Sequence, residues 1–164
     1  MQAAAAQIAE LSRRIHLSTR QLLLQLRPPA LDELSFKEAL HHLLNEFAFA
    51  ERGIRCRFDY RLAATPQSET LRFTLYRLLQ ELLNNVCKHA RASEVRVSLR
   101  QQGEVLCLEV EDNGVGFGPE TRPGLGIQGM RERASALGGE LRLDARSGTR
   151  VTVNLPTTLQ QARP

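Results

Sequence analysis

Glu81, Asn85 and Lys88 recur at helical spacing, and downstream stand Asp112-Asn113-Gly114-Val115-Gly116-Phe117 and then Gly124-Leu125-Gly126-Ile127-Gln128-Gly129. One turn separates Glu81 from Asn85, so both can offer oxygens to one hard cation, with Lys88 a further turn along to meet phosphate charge. Asp112 ends an alternating apolar stretch (Leu106, Leu108, Val110) and is followed by small residues, so a flat ring can approach its carboxylate. An exocyclic amine donating to that carboxylate would contribute roughly 1.5 to 3 kcal/mol where water is excluded. The third string opens a helix, whose free N–H groups and positive dipole end suit a phosphate. Together the three describe a nucleotide site.

Each string alone has a plainer reading. Residues 81–89 would pass as a solvated helix face, and Asp112-Asn113-Gly114 as a hairpin turn. Gly148-Thr149 ahead of the last strand would also pass as a hairpin turn, although a glycine there lets the backbone run close to a ring while the Thr149 hydroxyl bonds to it. Gly124-x-Gly126-x-x-Gly129, with Asp144 roughly 20 residues on, matches a dinucleotide fingerprint. That fingerprint needs a strand running straight into its first glycine, and here the stretch from Pro119 to Pro123 intervenes. Neither lysine, Lys37 or Lys88, follows a glycine, which excludes a P-loop. His16, His41 and His42 show no metal spacing, and no Ser-His-Asp arrangement can be argued.

The elements that must position these residues can be read from periodicity. Ile8, Leu11, Ile15, Leu22 and Leu26 predict one helix of about 25 residues, on the order of 40 Å, ended by Pro28-Pro29. It reads as a bundle or coiled-coil arm, or as a long packing helix within one domain. Ser35 with Glu38 predicts a capping box for a helix reaching Gly53. A strand follows at Ile54, Cys56 and Phe58, and Pro66 marks a loop before a helix over 69–89. On that helix Leu71, Leu75, Leu78, Leu82 and Val86 form a buried stripe, while Glu81, Asn85, Lys88 and His89 share about a 100° arc elsewhere. Strands are expected over 95–100, 105–111, 140–144 and 150–155, with a helix over 127–137. This mixture predicts an α+β fold, a two-layer α/β sandwich with helices on one face of an antiparallel or mixed sheet, preceded by the long amino-terminal helix.

A chain of 164 residues, 42% apolar and 24% charged, is about one globular domain. Its apolar runs fall far short of the roughly 20 residues that span a bilayer, so no membrane contact is expected of this piece. Cys56, Cys87 and Cys107 are odd in number and lack CxxC spacing, which reads as reduced core thiols of a cytosolic protein. The net charge of +4 and pI near 9.4 come from arginines scattered among acids, so a solvated surface accounts for them better than direct nucleic-acid binding. Nine of the eleven glycines lie between Gly114 and Gly148, where a ligand would have to be approached closely.

Gln80-Glu81-Leu82-Leu83-Asn84-Asn85-Val86-Cys87-Lys88-His89-Ala90, then Asp112 to Phe117, then Gly124-x-Gly126, then Gly148-Thr149, resembles the ATP-binding domain of sensor histidine kinases in the order of its N, G1 and G2 boxes. Leu26-Arg27-Pro28, Leu31-Asp32 and Gly129-Met130-Arg131-Glu132-Arg133 with Leu137-Gly138-Gly139 are similar to the subfamily of nitrate and hexose-phosphate sensors. The resemblance extends from about Leu22 to Pro156.

It implies the Bergerat, or GHKL, fold shared with gyrase, Hsp90-type chaperones and mismatch-repair ATPases, binding Mg-ATP under a flexible lid. By motif position, Asn85 would be the Mg ligand and Asp112 the adenine reader. Glu81 would polarise the attacking group or support the metal shell. Lys88 and His89 would face phosphate, Gly114, Gly116, Gly124 and Gly126 would shape the pocket and its lid, and Thr149 would sit near adenine. Residues 1–30 look like the second helix of a dimerisation and histidine-phosphotransfer hairpin, 31–158 like the catalytic domain and 159–164 like a tail. Kinases of this subfamily carry the accepting histidine in the preceding helix, so the chain is expected to be a cytoplasmic fragment of a homodimeric parent anchored in the bacterial inner membrane. The expected reaction is transfer of the ATP γ-phosphoryl to that histidine, for relay to a response regulator. An anti-sigma-factor type serine kinase and an inactive ATP-binding scaffold are the alternatives.

Overall fold

A computed structural model describes residues 28–116, 125–145 and 147–158. The expected long amino-terminal helix, Gly124 and the tail lie outside the described residues.

Pro29 leads a short helix, α1 (Ala30–Glu33), and Ser35 then caps α2 (Phe36–Glu46) with the anticipated capping box: Glu38 N–H donates to Ser35 Oγ at 3.4 Å and Ser35 N–H donates to Glu38 Oε2 at 3.0 Å. The helix expected to reach Gly53 ends earlier. The chain turns at Ala48 with φ 47°, makes a 3₁₀ turn (Ala50–Arg52), and Gly53 closes that turn in the left-handed region with φ 71°. Strand β1 (Arg55–Arg61) follows, and Ser68 caps α3 (Glu69–Asn85) by accepting from Leu71 N–H at 3.3 Å.

Beyond Asn85 the helix does not simply continue. Val86–Ala90 winds one wider π turn and stops at Arg91, which is left-handed with φ 51°. The 3.6-residue arithmetic that put Lys88 and His89 on one arc with Glu81 and Asn85 therefore holds only as far as Asn85. The chain then forms β2 (Glu94–Gln102), β3 (Val105–Asp112), α4 (Leu125–Ser135), β4 (Glu140–Asp144) and β5 (Thr149–Pro156).

The strands make one five-stranded sheet in the order β1-β2-β3-β5-β4. β1 runs parallel to β2 because α3 provides the crossover, and the other pairs are antiparallel. Alternation sends Val95, Val97 and Leu99, then Leu106, Leu108 and Val110, then Val151, Val153 and Leu155 to one face, all buried. Helical spacing brings Leu71, Leu75, Leu78 and Leu82 of α3 onto it, with Val86 of the π turn, Leu40 and Leu43 of α2 and Ile127, Met130 and Ala134 of α4. Truncating a fully buried leucine such as Leu78 to alanine would cost about 2 to 5 kcal/mol. The opposite face carries Arg55, Arg57, Arg96, Arg100, Glu109, Glu111 and Arg150.

One consequence of this alternation positions the site. Asp112 is the next member of the inward series after Val110, so the sheet delivers a carboxylate into the seam between its own face and the helix layer.

Candidate functional site

Asp112 is 5% exposed, one of very few buried charged or polar residues among those described. Gly114 N–H donates to its Oδ1 at 2.8 Å, and among the described residues no donor reaches Oδ2. A carboxylate on a buried residue that keeps one oxygen clear of protein donors is suited to accept from a ligand. Thr149, half-buried, is the register partner of Asp112 across β3 and β5.

The turn after Asp112 is not a hairpin. β3 is flanked by β2 and β5, and the chain leaves it toward α4, so the plain turn reading fails. Val115 N–H instead donates to the Ala90 carbonyl at 2.8 Å, pressing Gly114 so close to Ala90 that a Cβ there would overlap its carbonyl. Gly116, with φ 65°, leaves no room either: a Cβ would stand 2.6 Å from the Ala145 carbonyl oxygen and 2.9 Å from that of Gly148. Gly148 does belong to the β4–β5 hairpin, as its bland reading had it, but φ 78° also presses its backbone onto the Asp112 carbonyl. Asp112, Gly114, Gly116 and Thr149 therefore meet where the ends of β3 and β5 reach the π turn.

A second group lies on α3 and α4. A Cβ at Gly126 would stand 2.9 Å from Glu81 Oε1 and 4.0 Å from Asn85 Oδ1, so the start of α4 faces both side chains. Glu81 and Asn85 are half-buried, and among the described residues the Asn85 side chain has no hydrogen-bond partner. The two groups are joined through α3: Asn85 and Ala90 are five residues apart, roughly 7 Å at ordinary helical rise. Lys88 and His89 lie on the π turn between them, both exposed. Gly124 lies outside the described residues.

Two residues of the site were not singled out from sequence. Ala90 is the carbonyl against which the whole turn is seated, and its only signal is a small residue following the polar stripe. Asn113 links the turn to the start of β2, and its signal was hidden because Asp-Asn-Gly reads first as a hairpin.

Of the remaining candidates Cys87 lies on the π turn itself, while His41, His42, Cys56 and Cys107 fall away from this region. His41 is exposed with its ring edge-on to Phe58 at 4.9 Å, and His42 lies 3.7 Å from Glu46. Cys56, Cys87 and Cys107 are free thiols, half-buried rather than core, and burial raises the pKa of each.

The sequence profile of the histidine kinase-, DNA gyrase B- and HSP90-like ATPases matches residues 70–159, which contain both groups. The signal transduction histidine-protein kinase/phosphatase UhpB of Salmonella typhimurium is 46% identical over 150 residues, covering 91% of this chain and 30% of that protein. The chain thus spans less than a third of the curated relative. Among solved structures, the Erythrobacter litoralis EL346 blue-light activated histidine kinase superposes with a TM-score of 0.71 at 24% identity, over 94% of this chain and 58% of that one. The Acinetobacter baumannii histidine kinase AdeS gives 0.68 at 19% identity, over 92% and 82%. At such identities the superpositions speak for the α+β sandwich.

Proposed function

Because the chain belongs to the histidine kinase-, DNA gyrase B- and HSP90-like ATPase family, as the ATP-binding domain of a sensor histidine kinase, we propose that it binds Mg-ATP between α3, α4 and the β3 end of its sheet and transfers the γ-phosphoryl to a histidine of its parent protein. The observation that carries this reading is the Asp112 carboxylate on a buried residue, bonded at Oδ1 and without a donor at Oδ2 among the described residues, in a cradle of glycines too tight for any side chain.

The residues present fit the nucleotide. Asp112 would accept from the adenine amine, with Thr149 beside the ring. Gly114 and Gly116 would shape the pocket by letting its backbone close onto the carbonyls of Ala90, Ala145 and Gly148, and Gly148 by packing on that of Asp112. At the phosphate end, Asn85 would hold magnesium, Gly126 and Gly124 would shape the lid, and Lys88 and His89 would face the phosphates. Asn85 and Glu81 offer the oxygen donors a hard cation requires. Magnesium supplies charge neutralisation across the phosphates; the protein's share is positioning and electrostatic support of an in-line transfer. Glu81 would polarise the incoming histidine or steady the metal shell.

For the parent we propose residues 1–30 as the second helix of the dimerisation and phosphoacceptor hairpin, 31–158 as the catalytic domain and 159–164 as a tail. The partners would be that hairpin, within a homodimer, and a response regulator. Among the described residues no helix is long and apolar enough to cross a membrane, and the anchor in an inner membrane is proposed for the parent alone.

Calorimetry should find Mg-ATP binding in the micromolar range, weakened by roughly 10- to 100-fold in Asp112→Ala through loss of one charged hydrogen bond. Equal affinity in the variant would remove Asp112 from the site. Supplying a separate hairpin with an accepting histidine distinguishes a kinase from a scaffold: radioactive phosphate from γ-labelled ATP should appear on the hairpin, and Asn85→Ala should abolish the label. A protein that binds ATP tightly yet never labels the histidine would be a scaffold.

A further inference from the structure

We propose that Asn113 is a positioning residue for adenine recognition, holding Asp112 from outside the pocket by fastening the turn to the start of β2. The proposal rests on the ATP-site reading above.

The next residue along the alternation from Asp112 points the other way, and Asn113 is exposed. Both ends of its amide are nevertheless bonded. Its Oδ1 accepts from Ser93 N–H and from Glu94 N–H, both at 2.9 Å, and its Nδ2 donates to Ser93 Oγ at 2.9 Å. Its own backbone N–H donates to the Glu94 carbonyl at 3.2 Å. Every one of these partners lies just after the π turn, in the segment that follows the left-handed Arg91 and begins β2.

That segment is where the turn needs an anchor. The π turn ends α3 with one extra residue per turn, and Ala90 at its end supplies the carbonyl that receives Val115 N–H. Among the described residues the Asp112 side chain is held through Gly114 N–H, and so depends on where that turn sits. Two clamps therefore flank the carboxylate: Ala90 to Val115 on the pocket side, and Asn113 to Ser93 and Glu94 on the outer side. Without the second, the turn hangs from the Ala90 carbonyl and the Asn113 backbone bond alone, and the carboxylate's aim at the base slackens.

The chemistry of the amide allows a clean test. In Asn113→Ala, two backbone N–H groups lose their common acceptor. In Asn113→Asp both keep it, and Ser93 Oγ–H can turn to donate where it formerly accepted. The readout is the ratio of ATP affinity to that of purine riboside triphosphate, which lacks the exocyclic amine. It is measured by calorimetry on the whole chain for the unsubstituted protein, Asn113→Ala, Asn113→Asp, Asp112→Ala and the Asp112→Ala, Asn113→Ala double variant.

We expect Asn113→Ala to lower the preference for ATP by roughly 3- to 10-fold, the loss of about one well-aimed hydrogen bond. Asn113→Asp should restore it, and Asn113→Ala should change nothing further once Asp112 is gone. Equal weakening of both nucleotides by Asn113→Ala, or additive effects in the double variant, would overturn the proposal and leave Asn113 as a structural tie. An Asp112→Ala protein with unchanged preference would instead overturn the ATP-site reading on which it stands.

Discussion

At the scale of single residues, the site divides by what each side chain has to answer to. Asp112 answers to the sheet: its place in the Leu106, Leu108, Val110 series fixes its direction, and a carboxylate in a buried series has to find donors. Glu81 answers to α3 and to the start of α4, where Gly126 lies against it. Its two proposed roles separate kinetically. If Glu81 polarises the incoming histidine, Glu81→Gln should leave the affinity for Mg-ATP within about twofold and lower hairpin labelling by roughly 10²- to 10⁴-fold, the usual span of general-base loss. If it steadies the metal shell, affinity and labelling should fall together. Labelling at the unsubstituted rate would assign the base to an acid outside this chain. These chemical residues were the ones most legible in the sequence, because carboxylate, amide and glycine types carry their chemistry with them. Ala90 and Asn113 were not legible, because a backbone carbonyl has no sequence signature and an asparagine beside a glycine has a commoner use.

At the scale of elements, helix and strand identities followed from periodicity, and the departures came where backbone geometry changed without a change of hydrophobic pattern. The apolar stripe of α3 runs on through Val86 to Ala90, so nothing in it marks the switch to a π turn. Likewise Phe47 and Phe49 extend the apolar pattern of α2 beyond Glu46, although the chain has already turned at Ala48. Glycine positions make the distinction testable. Gly148 lies in the left-handed region and any Cβ would strike the Asp112 carbonyl. Gly148→Ala should therefore destabilise the fold by more than about 1 kcal/mol and weaken ATP binding with it. Gly129 sits inside α4 with nothing within 4 Å of its Cβ position among the described residues, so Gly129→Ala should stabilise by roughly 0.5 to 1 kcal/mol. Urea titrations of the two variants measure both; equal shifts of the same sign would mean that the close approach at Gly148 is not made in solution.

For the molecule as a whole, several arginines are matched with carboxylates on the sheet face that, among the described residues, carries no helix. Arg100 lies 2.9 Å and Arg61 2.8 Å from Asp59, Arg96 3.1 Å from Glu94, Arg150 2.6 Å from Glu111 and Arg142 2.9 Å from Glu140. Arg100–Asp59 and Arg150–Glu111 match opposite charges across neighbouring strands, and the other three pairs match them two residues apart on one strand, which blunts a face that would otherwise repel itself. The carboxyls bear the mark of this. Hydrogen bonds from Arg61 to Asp59, from Arg96 to Glu94 and from Asn154 and Arg142 to Glu140 lower their pKa values, and the Ser35 cap lowers that of Glu38. Each group is thus more acidic folded than unfolded. Its contribution is complete above the unfolded value, 4.5 for a glutamate and 3.8 for an aspartate, and drains away as pH falls through the lower folded one. Glu38 and Glu140 are exposed and Asp59 and Glu94 half-buried at the surface, so all four are screened by solvent and the loss is gradual. The melting temperature should accordingly be level from neutral pH down to about 5 and decline below about 4.5, more steeply in low salt than in high. A melting temperature that holds to pH 3, or one that rises on acidification, would mean that these pairs do not favour the folded chain.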